Sequence, residues 1–598
     1  MLHCYLQFFF KRRRRNLAHF VRIMDAGMRT ARRRNLTLAV FNNTKPINKK
    51  DQPYDNAQHL YYLYMNQGRF PLYINRVLDT ALTCSGVCST EAPPCYVTPI
   101  ILSGLESILS LSATAANGKL GPSKVAFLLY AYWFGVTTGY NWIANGPIKG
   151  MKDNWNWDIH YINTDLGNEF LFMNSVLQYI LPMIFTNAFA LNATFNPTQL
   201  INYGYSMTNL SPAEYAAKSA MVNTTAHFSE WQSAFNTWFL ARNNEATTVS
   251  GLPSKPLPNG ANTINVVDGT IGPISGFPND TLWTPLKLPS SAVQTYYTPM
   301  WHTITSPSAF TPTQTNDISG AATAFYTPDG TARDADIDEM ITLVANLNDS
   351  QKAIAEFWAA ITNSAAPPGL LFWFWKQYIK GYDIEITLGN TALIYSGFHL
   401  AVGLLEAGRM CWGLKYKYFQ ARPIQEIRRR YSGQLLTNWN GTVLGDNWLP
   451  YQPYGFITPP FPDFPSGHSA FSQIFANVMT AWFGPNIVNP PTQTLTDLQV
   501  LSSAFTGVTQ TQPYGTIVFP QGKSEVENGV FPGTTAGTVP ATAQTLSWSS
   551  WQAMAEEAGM SRRCGGIHPL SAHTGSKAFA NAMFPVMNSI WGLPNSMN

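Results

Sequence analysis

The sequence predicts a mainly α-helical protein, and three observations support this prediction. Long apolar-rich stretches carry helix-forming and capping residues, clean alternating strand patterns are scarce, and stretches rich in Pro, Gly, Ser, Thr and Asn separate the helical regions. The predicted helical segments are 96–146, 166–192, 337–364, 369–420, 466–484 and 571–592. The intervening stretches 243–335 and 485–548 are predicted to be long ordered loops with short hairpins.

The length of the chain, 598 residues, predicts more than one packed unit. We expect a basic, disordered arm over 1–40 and a helical bundle over 41–336 that contains the loop insertion 243–335. A second helical bundle is expected over 337–598, and the motifs with recognisable chemistry fall in this region.

The first 36 residues carry ten Lys and Arg against the single acid Asp25. Such a run is typical of a solvated arm, and we infer no nucleic-acid function from it. It is also a poor secretory signal, because the basic run 11–15 follows a short apolar stretch instead of preceding a longer one. The sequence leaves the compartment open.

Two uncharged stretches, 125–147 and 170–192, are long enough to cross a bilayer. Polar residues such as Asn141 and Asn174 interrupt them, and the mean hydropathy of the whole chain is only -0.09. Central helices of a large soluble bundle explain these stretches better than membrane spans do. We therefore expect no membrane span.

The first chemical motif is KYKYFQARP, in which Lys415 and Arg422 lie seven residues apart. That spacing corresponds to two turns of a helix, so both cations are expected to project from one helix face, and Pro423 predicts the end of this helix. Neighbouring aromatic residues, among them Trp412 and Phe419, would strengthen the attraction of each cation for an anion.

The second motif, PPFPDFPSGHSAFSQ, predicts a helix that begins after a Pro-rich approach. Ser466 is its predicted N-cap, and Gly467 and His468 are its first helical residues. A helix N-terminus offers unpaired N–H groups and a positive dipole end to an oxyanion. The glycine lets the backbone approach that anion, and His468 is placed to exchange a proton.

The third motif is SRRCGGIHPLSAHTG, in which Arg562 and His568 flank two glycines ahead of another predicted helix. Each motif alone is compatible with an ordinary structural role. Together, Lys415, Arg422 and Arg562 would be costly to bury without a counter-charge, and a bound tetrahedral oxyanion provides one. The three motifs therefore predict a single buried oxyanion site.

The patterns K-x6-RP, PSGH and SR-x5-H resemble the tripartite signature of the phosphatidic acid phosphatase and vanadium-dependent haloperoxidase superfamily. The resemblance covers residues 350–590 and is closest to the fungal chloroperoxidase type in EFWAA, RPIQEIR and PPFPDFPSGHSAFS. It implies two packed helical bundles of the haloperoxidase type and vanadate as the cofactor. Phosphate would compete with vanadate, and hydrogen peroxide and a halide would be the substrates.

The resemblance also implies a role for each site residue. Residues that would bind the vanadate oxygens are Lys415, Arg422, Ser466, Gly467 and Arg562. His568 would be the axial vanadium ligand, and His468 would be the acid–base residue for hydrogen peroxide. Lys415 would make a peroxide oxygen more electrophilic, while Trp412 and Phe461 would shape the halide side of the pocket.

The chain departs from the family pattern at two places. Ala572 stands where the relatives have an acid four residues after the histidine, and an acid there would orient the histidine ring. The segment Ala359–Ala360–Ile361 stands where the haloperoxidases place an Asp, so Arg562 is expected to lack its usual carboxylate partner.

Three other functions fit the same motifs. In an acid phosphatase, His568 would attack phosphorus and His468 would protonate the leaving group. A non-catalytic protein would bind an oxyanion without turnover. A membrane lipid phosphatase would need more spans than the two polar-interrupted stretches supply.

Overall fold

A computed structural model of the protein describes residues 97–113, 120–144, 166–198, 200–202, 211–223, 226–250, 264–265, 282–287, 294–295, 297–360 and 364–593. All of these residues belong to one compact unit, Pro94–Asn598. The predicted basic arm over 1–40 lies outside the described residues. The proposed division into bundles at residue 336 stays a prediction.

The prediction of a mainly α-helical fold is confirmed. Helices in the described part of the chain are α1 Thr98–Ala113, α2 Pro122–Ala144, α3 Leu166–Asn187, α4 Pro212–Asn223, α5 Ala226–Ser250, α6 Pro312–Thr323, α7 Thr331–Ala345, α8 Asp349–Phe357, α9 Ala366–Gly381, α10 Ile384–Thr387, α11 Asn390–Tyr418, α12 Pro423–Arg430, α13 Gly467–Phe483, α14 Trp551–Cys564 and α15 Leu570–Trp591.

Short two-stranded sheets accompany the helices. The strands are β1 Ile264–Asn265, β2 Leu286–Lys287, β3 Leu435–Asn438, β4 Gly441–Leu444, β5 Thr492–Leu495, β6 Gln510–Pro513, β7 Thr516–Phe519 and β8 Gln544–Ser547. Strands β1 and β2 pair in parallel, and the pairs β3–β4, β5–β6 and β7–β8 are antiparallel. The last two pairs lie within 485–548, the stretch predicted to hold loops and short hairpins.

Helices α2 and α3 cover most of the two uncharged stretches of the sequence, and they pack against each other. Their close approach depends on a glycine, because a Cβ atom on Gly139 would come within 2.7 Å of the Val176 side chain. Among the described helices, Phe170–Ala190 is long and apolar enough to cross a bilayer, and 67% of its most apolar window is buried inside the protein.

Helix α6 lies within 243–335, which the composition predicts to be loop. Thr311 and Gln314 form a reciprocal capping box at its start, and Pro312 occupies the first helical position. Thr and Pro are common in loops, but at these positions they favour the start of a helix. Composition therefore could not distinguish this helix start from a loop.

Helix α11 is the central helix of the region that contains the chemical motifs. It spans 29 residues, and most of its side chains are buried. Helix α13 packs against it so closely that a Cβ atom on Gly403 would lie 2.6 Å from Ile474. Helices α14 and α15 cover the other sides of α13. The N-terminus of α13 is consequently buried among helices.

The described residues form two hydrophobic clusters. Trp412 and Phe461 belong to the larger cluster, which extends from α1 to α15. Ile424 and Cys564 belong to a smaller cluster built around α7, α12 and the segment after β4. The cationic residues of the motifs are therefore close in sequence to members of both clusters.

Candidate functional site

Lys415 and Arg422 do not lie on one helix, and this part of the sequence interpretation is wrong. Helix α11 ends at Tyr418, Phe419 adopts a left-handed conformation with φ 54°, and Arg422 is the N-cap of α12. Pro423 therefore begins a helix instead of ending one, as its preset φ angle favours. The two cations still converge, because both lie over the ring of Phe461, at 5.1 Å for Lys415 Nζ and 4.9 Å for Arg422 Cζ.

The Lys415 ammonium is completely buried and donates to three backbone carbonyls. Its acceptors are Pro462 O at 3.0 Å, Asp463 O at 2.7 Å and Pro465 O at 2.5 Å. These bonds use all three N–H donors. In this arrangement Lys415 holds the segment before α13 in place, and it acts on an anion in the site through its charge.

Arg422 is buried between the same segment and the turn before α15. Its Nε donates to Phe461 O at 2.8 Å, and its Nη1 donates to Ile567 O at 3.0 Å and lies 3.2 Å from His568 Nε2. Its Nη2 is buried and has no hydrogen-bond partner among the described residues. Burial lowers the pKa of Arg422 to about 10, so it stays charged near neutral pH.

Ser466 is the N-cap of α13, as predicted. Its side-chain oxygen accepts from Ser469 N, which leaves the hydroxyl hydrogen for a ligand. Its backbone is fixed by α15, because Ser466 N donates to Ala572 O at 3.0 Å and Ser576 Oγ donates to Ser466 O at 2.7 Å. Gly467 follows as the first helical residue, and an added Cβ there would make only ordinary contacts, the nearest at 3.6 Å to Trp412.

His468 lies beside Arg562, but it is also tied to the chain after α8. Its Nε2 lies 2.8 Å from Trp358 O and 3.4 Å from Arg562 Nη1. A carbonyl can only accept, so this nitrogen carries the proton and donates to Trp358 O. Burial and the Arg562 charge lower the pKa of His468 well below its usual range. It is therefore a neutral histidine that retains partial solvent exposure.

Arg562, in the last turn of α14, has no carboxylate partner among the described residues. Its Nη2 donates to the neutral Gln452 Oε1 at 3.4 Å, and its buried Nε has no hydrogen-bond partner in the described part of the chain. Burial, followed by the Arg422 charge, lowers the pKa of Arg562 to about 9. Ile361 lies outside the described residues, so the expectation that Arg562 lacks its usual acid stays a prediction.

His568 does have an acidic partner, which the sequence interpretation missed. The Asp463 Oδ1 atom lies 2.5 Å from His568 Nδ1, and both side chains are buried. Ala572, where the relatives have an acid, is also buried and contributes its carbonyl to Ser466 instead. A signal for Asp463 was present, because it is the only Asp, Glu, Lys or Arg between Asp446 and Asp497 and lies inside the second motif.

A buried ion cluster supports Asp463 from behind. Arg333, on α7, donates from Nη2 to Asp463 Oδ2 at 3.0 Å and from Nε to both carboxylate oxygens of Glu426, at 2.9 and 3.1 Å. These three side chains are at most 2% exposed. Arg333 belongs to no motif in the sequence, and Glu426 lies in RPIQEIR without a predicted role. Only the packing of α7 against α12 reveals their contact.

Aromatic rings line one side of the site. The Trp412 and Phe461 ring centroids are 5.0 Å apart, and Tyr297 lies 6.5 and 6.2 Å from them. Trp412 Nε1 donates to Tyr297 O at 3.2 Å, so its ring is held in place. Tyr297 was not anticipated, because it precedes the motifs by more than a hundred residues.

These residues form an arrangement that suits an oxyanion. Three buried cations surround His568 and the N-terminus of α13, and two guanidinium atoms, Arg422 Nη2 and Arg562 Nε, are buried N–H donors without an acceptor among the described residues. Such donors are costly to leave unpaired, and a tetrahedral anion would accept from them. The donor set therefore fits vanadate or phosphate.

Anion affinity is expected to fall as pH rises through about 7. Burial, with a further contribution from Arg422, lowers the pKa of Lys415 to about 7, so the ammonium loses its proton above that pH in the free protein. Anion binding must then take up a proton. Sulfate is a suitable probe because its charge is constant in this pH range. Calorimetry should show that it binds at least about tenfold more weakly at about pH 9 than at about pH 6, which corresponds to a binding free energy about 1.4 kcal/mol less favourable.

The matched control for this pH dependence is Lys415→Met, which removes the titrating group. The variant should bind sulfate more weakly, with little dependence on pH between these values. If the sulfate affinity of this variant changed with pH as much as that of the unmodified protein, a group other than Lys415 would cause the pH dependence.

Comparisons with known proteins support this reading of the fold. Residues 396–586 match the family model described as the VCPO second helical-bundle domain. The holo form of a bacterial vanadium-dependent chloroperoxidase has a similar structure, with a TM-score of 0.54 and 15% sequence identity over 85% of this chain and 99% of that protein. Its apo form gives a TM-score of 0.53, also at 15% identity, over 79% and 95% of the two chains.

No curated protein matches the sequence. The structural likeness, at this identity, concerns the fold, and the family model covers the part of the chain that holds the three motifs. Together they confirm the resemblance seen in the sequence: residues 396–586 match the VCPO second helical-bundle domain, and the chain has the fold of the bacterial vanadium-dependent chloroperoxidase.

Proposed function

We propose that this protein is a vanadium-dependent haloperoxidase, an enzyme that binds vanadate and uses hydrogen peroxide to oxidise a halide to a hypohalous species. One observation carries the proposal: Lys415, Arg422 and Arg562 are buried near His568, and Arg422 Nη2 and Arg562 Nε have no acceptor among the described residues. The fold supports it, because the solved structures with a similar fold are described as vanadium-dependent chloroperoxidases.

Bound vanadate would supply a Lewis acid that activates hydrogen peroxide without a change in its own oxidation state. Arg422 and Arg562 would donate hydrogen bonds to the anion, and the N–H of Gly467 and the hydroxyl of Ser466 would add donors at the N-terminus of α13. His568 would face the anion with Nε2, the nitrogen that lies next to Arg422 Nη1.

His468 and the aromatic rings would serve the substrates. His468 is neutral and partly exposed, so it could accept a proton from incoming hydrogen peroxide and pass it to water. The Trp412 and Phe461 rings would exclude water from one side of the site, and the adjacent cations would attract the halide. Lys415 would raise the positive potential without contacting the anion directly.

The proposal is tested by peroxide-dependent bromination of a reporter dye with the purified protein. Activity should require added vanadate, should be absent without peroxide, and should fall when phosphate competes for the site. Vanadate binding without bromination or chlorination at any pH would instead indicate an oxyanion-binding protein without this activity. Failure to bind vanadate at all would reject the cofactor.

An acid phosphatase is the second candidate, and the Asp463–His568 hydrogen bond favours it. A histidine nucleophile needs an acid that orients its ring, and the sequence shows none at Ala572. Asp463 provides one at 2.5 Å. Hydrolysis of a phosphate ester such as p-nitrophenyl phosphate, lost in His568→Gln, would support this candidate, whereas bromination without hydrolysis would support the haloperoxidase.

Giving Arg562 an acidic partner is expected to weaken anion binding. In Gln452→Glu, a carboxylate would replace the neutral amide that contacts Arg562 Nη2 and would lower the positive charge of the site. We expect the affinity for vanadate and phosphate to fall by about tenfold or more, or at least about 1.4 kcal/mol. Isothermal titration calorimetry measures both affinities.

The control is Gln473→Glu, which places the same new charge on a buried glutamine of α13. Gln473 is 2% exposed and bonds to Asn477 and Gln552, which are not among the site residues. An equal loss of affinity in both variants would mean that the effect is not specific to Arg562.

A further inference from the structure

The position of Asp463 between two partners restricts how each of its oxygens can be used. Oδ1 faces His568 Nδ1 at 2.5 Å, and Oδ2 accepts from Arg333 Nη2 at 3.0 Å. Asp463 is completely buried, Arg333 is 1% exposed and His568 is 2% exposed. Water therefore has little access to this chain of three side chains, and their hydrogen-bond directions are set by one another.

We propose that Asp463, itself oriented by Arg333, is the positioning residue of His568, and that it holds the proton on Nδ1 and the lone pair on Nε2. A carboxylate only accepts, so the nitrogen that faces it must donate. The other nitrogen then presents its lone pair toward Arg422 Nη1, at 3.2 Å. The use of this lone pair to bind vanadium rests on the proposed function, whereas the tautomer does not.

In the family pattern the orienting acid follows the histidine by four residues, on the next helix. In this protein the proposed acid, Asp463, lies in the segment before α13. Asp463 lies three residues before Ser466, and its own carbonyl accepts from Lys415 Nζ. The segment that positions the helix N-terminus therefore also positions the histidine. The absence of an acid at Ala572 is thereby compensated by a residue that is distant from it in sequence and adjacent to His568 in space.

Because Arg333 contacts Asp463, the Asp463→Asn variant is expected to have one defined amide orientation. The guanidinium offers only donors, so in Asp463→Asn the amide oxygen should turn toward Arg333. The amide nitrogen would then donate to His568 Nδ1 and force the proton onto Nε2. The variant should thus have the opposite His568 tautomer. Nε2, which faces Arg422, would then be a hydrogen-bond donor instead of an acceptor.

The tautomer can be measured in the unmodified protein without any ligand. Nitrogen-15 NMR of histidine-labelled protein distinguishes the two neutral tautomers, and the missing signal in His568→Gln identifies the residue. We expect an Nδ1-protonated ring in the full-length protein and an Nε2-protonated ring in Asp463→Asn. An Nε2-protonated or doubly protonated His568 in the unmodified protein would overturn the proposal.

Vanadate and phosphate affinities provide the second readout. Vanadate requires the Nε2 lone pair, whereas phosphate requires only donors, so Asp463→Asn should weaken vanadate binding by about 10- to 100-fold while phosphate binding changes much less. Glu426→Gln is the matched control, because it also removes one buried negative charge from Arg333 but does not touch His568. It should retain the original tautomer and the preference for vanadate.

The outcomes separate this inference from the proposed function. Equal vanadate losses in the two variants, with no change of tautomer in Asp463→Asn, would reject the positioning role. If the unmodified protein has the predicted tautomer but binds vanadate no more tightly than phosphate, the haloperoxidase function fails and the role of Asp463 stands. Calorimetry with inorganic vanadate and inorganic phosphate gives both affinities.

Discussion

Replacing His568 with glutamine is expected to abolish vanadate-dependent bromination, with a loss of at least about 1000-fold. Glutamine is uncharged and can still donate a hydrogen bond, but it offers no ring nitrogen to vanadium. The cations are unchanged in this variant, so phosphate affinity should fall by less than about tenfold. Steady-state bromination measures the first effect, and calorimetry with phosphate measures the second.

The control for this variant is His573→Gln, five residues along the chain. His573 is also buried, and it bonds to Ser469 Oγ at 2.9 Å and to Glu556 instead of to the site. It should keep most of the bromination activity. Activity that survives in His568→Gln would show that this histidine is not the vanadium ligand.

The second large effect is expected in stability, for Arg333→Met. Arg333 is the guanidinium that links Glu426 and Asp463. Its removal would leave the buried Asp463 without its arginine partner and Glu426 with only Arg430, at 3.3 Å. Removal of one partner from a buried ion pair typically costs about 3–5 kcal/mol. Urea unfolding followed by fluorescence should show a loss of this size.

A surface arginine on the neighbouring helix provides the comparison. Arg429 pairs with Asp329 at 3.4 Å, and its side chain is 27% exposed. Because exposed ion pairs contribute little, Arg429→Met should change the free energy of unfolding by less than about 1 kcal/mol. Similar losses in both variants would mean that burial of the Arg333 cluster does not determine its contribution.

Local pattern was sufficient to predict many of the helices. The apolar stretches of α2, α3 and α13 predicted helices, and Ser466 was recognised as an N-cap because its hydroxyl precedes a run of helix-forming residues. The break after Tyr418 was not predictable in this way. Phe419 adopts a left-handed conformation, which a phenylalanine rarely does, and no glycine marks the position.

The partners of the site residues depend on contacts between distant segments. Asp463 is separated from His568 by 105 positions, and Arg333 is separated from Asp463 by 130. Sequence spacing carries no information about such pairs, because they meet only when α7 and the segments that precede α13 and α15 pack together. The carbonyl acceptors of Lys415 were hidden for the same reason, since any residue can supply a carbonyl.

The sequence by itself determined the helical class of this protein and indicated the residues proposed for the anion site, because helix periodicity and the three motifs are local properties of the chain. The tertiary structure decided which acid serves His568, why Lys415 acts through its charge, and that Gln452 takes the place of an acid beside Arg562. These features depend on burial, which removes water as an alternative partner and leaves each polar group with whatever the packed helices place beside it.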